Sequence, residues 1–261
     1  MLFWVLQAVP WRCWESDEAE RIAVNELSLK TKFRGLNANA LKLIAALTML
    51  LDHVGLVLFP QVLWLRVVGR LAMPIYAFMI AEGCHHTRNR LRYFGMVFGL
   101  AAVCQLVYAV VLQDFYMCIL VTFSLSILTI YALQFLKSRK TAFGKALAGA
   151  MFVGCVAGVW LLNRLLQIDY GFWGCMLPVF PAVLYGTGRD SKEGRLGMLT
   201  LGLLLLSLQS GGIQILSLLA VPVLALYNGQ RGKWRMKYFF YLFYPLHLAA
   251  IQGIAWLLAL L

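Results

Sequence analysis

The stretch Leu43-Ile44-Ala45-Ala46-Leu47-Thr48-Met49-Leu50-Leu51-Asp52-His53-Val54-Gly55-Leu56-Val57-Leu58-Phe59 decides the fold class. It is apolar nearly throughout, too long for a buried strand, and carries an acid and an imidazole side by side. A bilayer crossing in helical form needs roughly 20 mostly apolar residues. With the residues just before it, this run meets that length and predicts a span over 37–59. The whole chain agrees: of 261 residues, 62% are hydrophobic and only 13% charged, about half the roughly 25% of a soluble domain. The apolar runs are long and continuous, which excludes the short alternating segments of a transmembrane β-barrel.

Working outward, the sequence predicts an all-α, polytopic transmembrane helical bundle of about nine spans: 37–59, 62–82, 91–112, 115–136, 144–166, 170–187, 196–208, 211–228 and 238–260. The seventh is short, and is tilted, partly interfacial or paired with the eighth as a hairpin. Residues 1–36 read as a cytoplasmic or interfacial accessory segment, either an amphipathic helix or a poorly ordered tail. Residues 37–261 form one membrane domain, because the connections are too short for anything soluble.

The net charge of +12 is a topological signal rather than a polyanion site. Lys30, Lys32 and Arg34 precede the first span; Arg88, Arg90 and Arg92 follow the second. Lys137, Arg139 and Lys140 follow the fourth, Arg189, Lys192 and Arg195 the sixth, and Arg231, Lys233, Arg235 and Lys237 the eighth. The alternate connections hold no Lys or Arg, although Arg164 lies near one of them. Under the positive-inside rule the N-terminus is cytoplasmic. No basic arm is left over for nucleic acid. The six cysteines lack CxxC spacing and read as small core residues rather than metal ligands, and no metal site is expected.

Ionisable residues inside hydrocarbon are costly and therefore mark function or paired structure. Asp52 and His53 lie in the outward half of the first span. Arg66 and Arg70 share one face of the second, four residues apart, at a matching depth across a short turn. An Asp–Arg pair would offset the burial of both charges. It leaves the imidazole as a base whose ordinary pKa, about 6.5, suits proton transfer near neutrality. A purely structural network fixing the hairpin register is the alternative. Glu82 closes the second span, and His247 follows a Tyr244-Pro245 kink in the ninth.

Three separated motifs resemble the TraX family: the 43–55 run; Arg66, Gly69 to Phe78, Glu82-Gly83 and His86-Thr87-Arg88-Asn89; and Tyr227 to Gly232 followed by Tyr238, Phe240-Tyr241, Phe243-Tyr244-Pro245 and His247-Leu248. Asp169-Tyr170-Gly171 fits as well. The resemblance spans roughly residues 37 to 255. That family is named for a conjugation protein that N-acetylates pilin in the inner membrane. The resemblance implies a multi-pass bacterial inner-membrane acyltransferase that moves an acetyl or other acyl group from acetyl-CoA to an amine or hydroxyl. The acceptor is left open between a pilin-like peptide, a lipid and a glycan.

On this reading His53 is base or acyl carrier, and Asp52 orients or charge-balances it. Arg66, Arg70, Glu82, Asn228, Tyr244 and His247 are candidates for the substrate and oxyanion pocket. Arg88, Arg90, Lys233 and Arg235 are candidates for contacts to CoA phosphates from the cytoplasmic side. A small proton-coupled transporter built on the Asp, His and Arg cluster is the competing class, and a non-catalytic scaffold is a third.

Overall fold

The computed structural model describes residues 35–109, 116–233 and 236–260. The expectation for residues 1–36 falls outside these, apart from Gly35 and Leu36, as does that for Arg235. Asn37–Leu261 forms one compact unit.

Its helices are α1 (Ala38–Val57), α2 (Leu63–Gly69), α3 (Ala72–His86), α4 (Arg90–Val107), α5 (Ile119–Ser138), α6 (Ala142–Leu165), α7 (Gly171–Met176), α8 (Val179–Ala182) and α9 (Lys192–Ser210). A 3₁₀ stretch over Gly212–Leu219, then α10 (Ala220–Ala225) and α11 (Lys237–Ala259), complete the order. Among the described residues no strand forms, and Met117 pairs with Ile168 in an isolated bridge. The chain is the all-α helical membrane bundle that its sequence predicts.

Among the described residues six helices are long and apolar enough to cross a bilayer: Ala38–Val57, Leu63–His86, Arg90–Val107, Ile119–Ser138, Ala142–Leu165 and Leu242–Ala259. The other three predicted spans are helical too, but refined in form. The sixth breaks into α7 and α8 around Pro178 and Pro181, and the eighth becomes the 3₁₀ stretch plus α10. The seventh is longer than expected, 19 residues in α9, because its first turn extends back through the polar residues after Ser191.

Local chemistry sets the helix starts. Asn37, Asn89, Thr141 and Ser191 each accept an orphan backbone amide of α1, α4, α6 and α9, as N-cap residues do. The second span is interrupted at Arg70 and Leu71, between α2 and α3. Pro74 explains the break: it has no N–H for the Arg70 carbonyl, and its ring crowds that carbonyl four residues back.

The core lies where α1, α3, α5 and α9 meet, around Leu41, Ile75, Phe78, Ile127, Ile130, Leu199 and Leu203. Helix α5 pairs most of its buried polar groups, Gln134 Oε1 being the exception among the described residues. The hydroxyls of Ser124, Ser126 and Thr129 donate to carbonyls one turn back, and Thr122 donates to the Asp169 carbonyl. Helix α6 is the opposite case, presenting Phe143, Val153, Trp160 and Leu165 outward. In lipid that surface matches its solvent, and helices satisfy their own backbone groups there.

Between α1 and α2 the approach is close enough to need glycine. A Cβ on Gly69 would stand 2.3 Å from Asp52 Cβ and Oδ1, and one on Gly55 would stand 2.7 Å from Leu65 Cβ. Small residues at such crossings let membrane helices pack by contact, since burial of apolar surface contributes little in lipid.

Candidate active site

The close α1–α2 approach is what brings Asp52 to the arginines. Asp52 Oδ2 accepts from Arg66 at 2.6 Å, and Oδ1 accepts from Arg70 at 2.6 Å. The three side chains are 22% exposed or less. Arg66 also donates to the Asp52 carbonyl at 3.3 Å. Arg70 reaches across to the 3₁₀ stretch, donating to Gln214 Oε1 at 3.2 Å. Gln214 is itself buried, and among the described residues its Nε2 has no hydrogen-bond partner. The cluster thus holds its formal charges in paired form and leaves one amide donor unclaimed.

His53 points elsewhere. Its Nδ1–H donates to the Met49 carbonyl at 2.8 Å, so that carbonyl rather than Asp52 orients the ring. Both Asp52 oxygens are taken by guanidiniums, which assigns Asp52 to charge balance of Arg66 and Arg70. The same pairing commits Arg70, leaving Gln214 as the free donor beside it.

His247, from the last helix, comes to His53 with ring centroids 5.1 Å apart and nearly perpendicular planes. Pro245 lies inside α11, two residues before His247. His247 Nδ1–H donates to the Phe243 carbonyl at 2.7 Å, and the ring stacks on Phe243. Its Nε2 is buried without a hydrogen-bond partner among the described residues. With Nδ1 anchored to a carbonyl in both rings, the lone pair falls on Nε2 in each neutral imidazole.

A cavity of about 350 Å3 lies near this pair without being lined by either ring. Its polar mouth holds Asn39, Lys42 and Arg231. Its walls are apolar side chains such as Met79, Val97, Leu100 and Phe123, and its inner end holds Met49 and Tyr244. Those last two are the immediate neighbours of the histidines, through the Met49 carbonyl and the Tyr244–His247 ring contact. Along α1 the eleven residues from Lys42 to His53 span about 16 Å, at about 1.5 Å each.

The turn that presents Arg231 docks on the start of α1. The Ala38 amide donates to the Gln230 carbonyl at 2.7 Å, and Asn228 Oδ1 accepts from the Gln230 amide at 2.9 Å. Gly232, at φ 88, sits where a Cβ would be 2.9 Å from Asn37 Oδ1.

The structure therefore brings together Asp52, Arg66 and Arg70, and separately His53, His247 and Tyr244. It does not bring Glu82 or Asn228 to them. Glu82 lies at the far end of α3, where its carboxylate meets the Tyr185 hydroxyl, Arg195 and His86. Asn228 shapes the turn below the cavity mouth. Arg88, Arg90 and Lys233 are exposed and do not line the cavity, whose cations are Lys42 and Arg231. Arg90 lies over the Tyr131 ring at 5.6 Å.

Two further residues border the polar cluster. Asp169 and Tyr170 stand in the connection before α7, within electrostatic reach of Arg70 and Asp52. Burial raises the Asp169 carboxyl to about 6, against the lowering effect of the hydrogen bond from Tyr116 and of Arg70. Tyr170 adopts φ 59, and is the one non-glycine residue with positive φ among those described. Sequence reasoning missed Gln214 and Lys42 as site residues. The polar break 209–214 between two apolar runs, and a lysine inside the first span, were their signals.

A helical bundle carrying buried, paired charges and a cavity with a basic mouth is a multi-pass membrane protein built around an internal polar site. The chain belongs to the TraX family, whose profile, described as TraX protein, matches residues 37–255. It is 28% identical over 246 residues to the probable fimbrial assembly protein FimC, serogroup H1, of Dichelobacter nodosus, covering 82% of this chain and 94% of that one. A shorter likeness, 32% identity over 69 residues, links it to the uncharacterized protein RP591 of Rickettsia prowazekii (strain Madrid E), covering 26% of each. No solved structure matches the chain.

Proposed function

We propose that this protein is an acyltransferase of the bacterial inner membrane that takes an acetyl or related acyl group from acyl-CoA on the cytoplasmic side. The observation that carries the reading is the convergence of His53 and His247, from the first and last helices, next to Met49 and Tyr244, two of the residues lining a cavity that also holds Lys42 and Arg231. The basic connections orient its mouth toward the cytoplasm, where CoA is found. The mouth offers cations to phosphates. The walls suit the long pantetheine arm, and an imidazole whose lone pair lies on Nε2 suits proton transfer.

His53 Nε2 takes the proton from an acceptor hydroxyl or amine as that atom bonds to the thioester carbon. The unclaimed Gln214 amide is the donor assigned in this reading to the developing oxyanion. The C–S bond then breaks, and the proton held on His53 passes to the departing thiolate. A positioned base of this kind contributes about 10²–10⁴-fold. The family membership and the fimbrial assembly name of the Dichelobacter relative support a role in modifying a surface component.

Proteoliposomes of defined orientation, given radiolabelled acetyl-CoA on one side at a time, test this. CoA release should require donor on the face bearing the basic connections, and His53→Ala should abolish it while leaving a folded, monodisperse protein. Donor consumed only from the opposite face would sink the proposal, as would an undiminished rate in His53→Ala.

A further inference from the structure

The cavity with the basic mouth is bounded at its inner end by buried side chains. Met49, 8% exposed, and Tyr244, 7% exposed, line it there. Ala72, Cys104 and Cys118 are buried with them in one apolar cluster. Leu100, Ile119 and Leu120 line the cavity and pack against that cluster as well. Interiors of this kind are close-packed, so even one methylene more is felt there.

The same two residues touch the histidines. His53 Nδ1–H donates to the Met49 carbonyl at 2.8 Å, and the Tyr244 ring centroid lies 5.6 Å from that of His247. Along α1, Lys42 stands at the mouth and Met49 about two turns nearer His53. A donor whose phosphates meet Lys42 and Arg231 therefore points its other end at Met49. In an acyl thioester of CoA that other end is the acyl group, beyond the arm and the sulfur.

We infer that Met49, together with Tyr244, sets the length of the transferred acyl group, admitting acetyl and excluding butyryl and longer chains. The inference rests on the acyltransferase reading and adds donor specificity to it. A hydrophobic pocket separates substrates that differ by one methylene by about 10–200-fold. Met49 is the residue whose size decides the limit. Its unbranched side chain fills the end of the cavity, and cutting it back leaves space that the neighbours refill only in part. The bond that orients His53 comes from the Met49 backbone carbonyl, so a change of the Met49 side chain leaves that acceptor in place.

Envelope vesicles from cells expressing the full chain, given acetyl-, propionyl- or butyryl-CoA at subsaturating concentration, test this through initial rates of CoA release. Vesicles carrying His53→Ala supply the blank. In wild type the rate should fall about tenfold or more with each added methylene. Met49→Ala should lower the acetyl-to-butyryl ratio about tenfold or more. Met49→Val, the milder truncation, is read in the same way and serves if Met49→Ala does not accumulate. Met79→Ala, on the cavity's side wall, should change the rates with all three donors alike. Equal use of acetyl- and butyryl-CoA by wild type overturns the inference, as does a wild-type ratio in Met49 variants present at normal levels. An equal shift in Met79→Ala overturns it too. Each of these results spares the acyltransferase reading, because His53-dependent release persists. Absence of His53-dependent release from every donor removes that reading, and this inference with it.

Discussion

Replacing Asp52 by asparagine keeps the outline of the side chain and removes the one negative charge that Arg66 and Arg70 share. Each guanidinium now bonds a separate Asp52 oxygen at 2.6 Å, with the arginine side chains 22% and 11% exposed. Breaking a buried pair by removing one partner costs about 3–5 kcal/mol, because the remaining charge stays desolvated and uncompensated. Two cations are orphaned here, but each keeps another contact: Arg66 with the Asp52 carbonyl and Arg70 with Gln214. The expected loss for Asp52→Asn therefore stays near about 3–5 kcal/mol rather than doubling it.

Equilibrium unfolding in bicelles measures the loss, and a double-mutant cycle with Arg70→Met isolates the pair. Asp52→Asn should cost less in the Arg70→Met background, with a coupling of about 1–3 kcal/mol. Independent, additive effects of the two substitutions, or a loss below about 0.5 kcal/mol for Asp52→Asn, a size usual for surface changes, would refute the argument that this carboxylate exists to neutralise the arginines.

Gly69→Ala puts a methyl 2.3 Å from Asp52 Cβ and Oδ1. It should cost about 1–3 kcal/mol, as overpacking does, seen as a lower unfolding midpoint in the same assay. Lys42→Gln and Arg231→Gln should each raise KM for acetyl-CoA about tenfold with kcat nearly unchanged, the signature of lost uniform binding, as read from initial rates of CoA release. The Asp169 carboxyl is raised to about 6 from 3.8 by burial, so the folded state holds its proton more tightly than the unfolded state does. That stabilisation is complete below pH 3.8 and is lost as pH rises through 6. Wild-type thermal midpoints should therefore fall across this window relative to Asp169→Asn, whose curve should lack that component.

Much of this was legible in the sequence, for identifiable reasons. Long apolar runs and alternating basic connections require membrane helices whatever the tertiary detail, so the helical bundle followed. The Asp52 pairing with Arg66 and Arg70 was legible because a short turn between two helices sets their relative depth. The orientation of His53 was not, since it depends on whether Nδ1 meets a side chain or the carbonyl one turn back, and helical sequence offers both. The meeting of His53 with His247 depends on how α11 packs against α1, which spacing along the chain does not encode. The breaks near Arg70 and within 170–187 had their cause in plain view at Pro74, Pro178 and Pro181. What each break does, placing Arg70 at a bend and ending α7 before α8, emerges only from packing. Glu82 read as a pocket residue by its place at a helix end, and its actual partners, Tyr185 and Arg195, come from segments more than about a hundred residues on.

The pairing of a histidine from the first helix with one from the last has a consequence for biosynthesis. His53 emerges from the ribosome nearly two hundred residues ahead of His247, so a nascent chain carries half of the pair through almost all of translation. Any product truncated before α11 inserts can fold its Asp52 hairpin yet lacks the second imidazole. On the acyl-transfer reading proposed above, the last helix to enter the bilayer thereby acts as a proofreading step that completes the reactive pair.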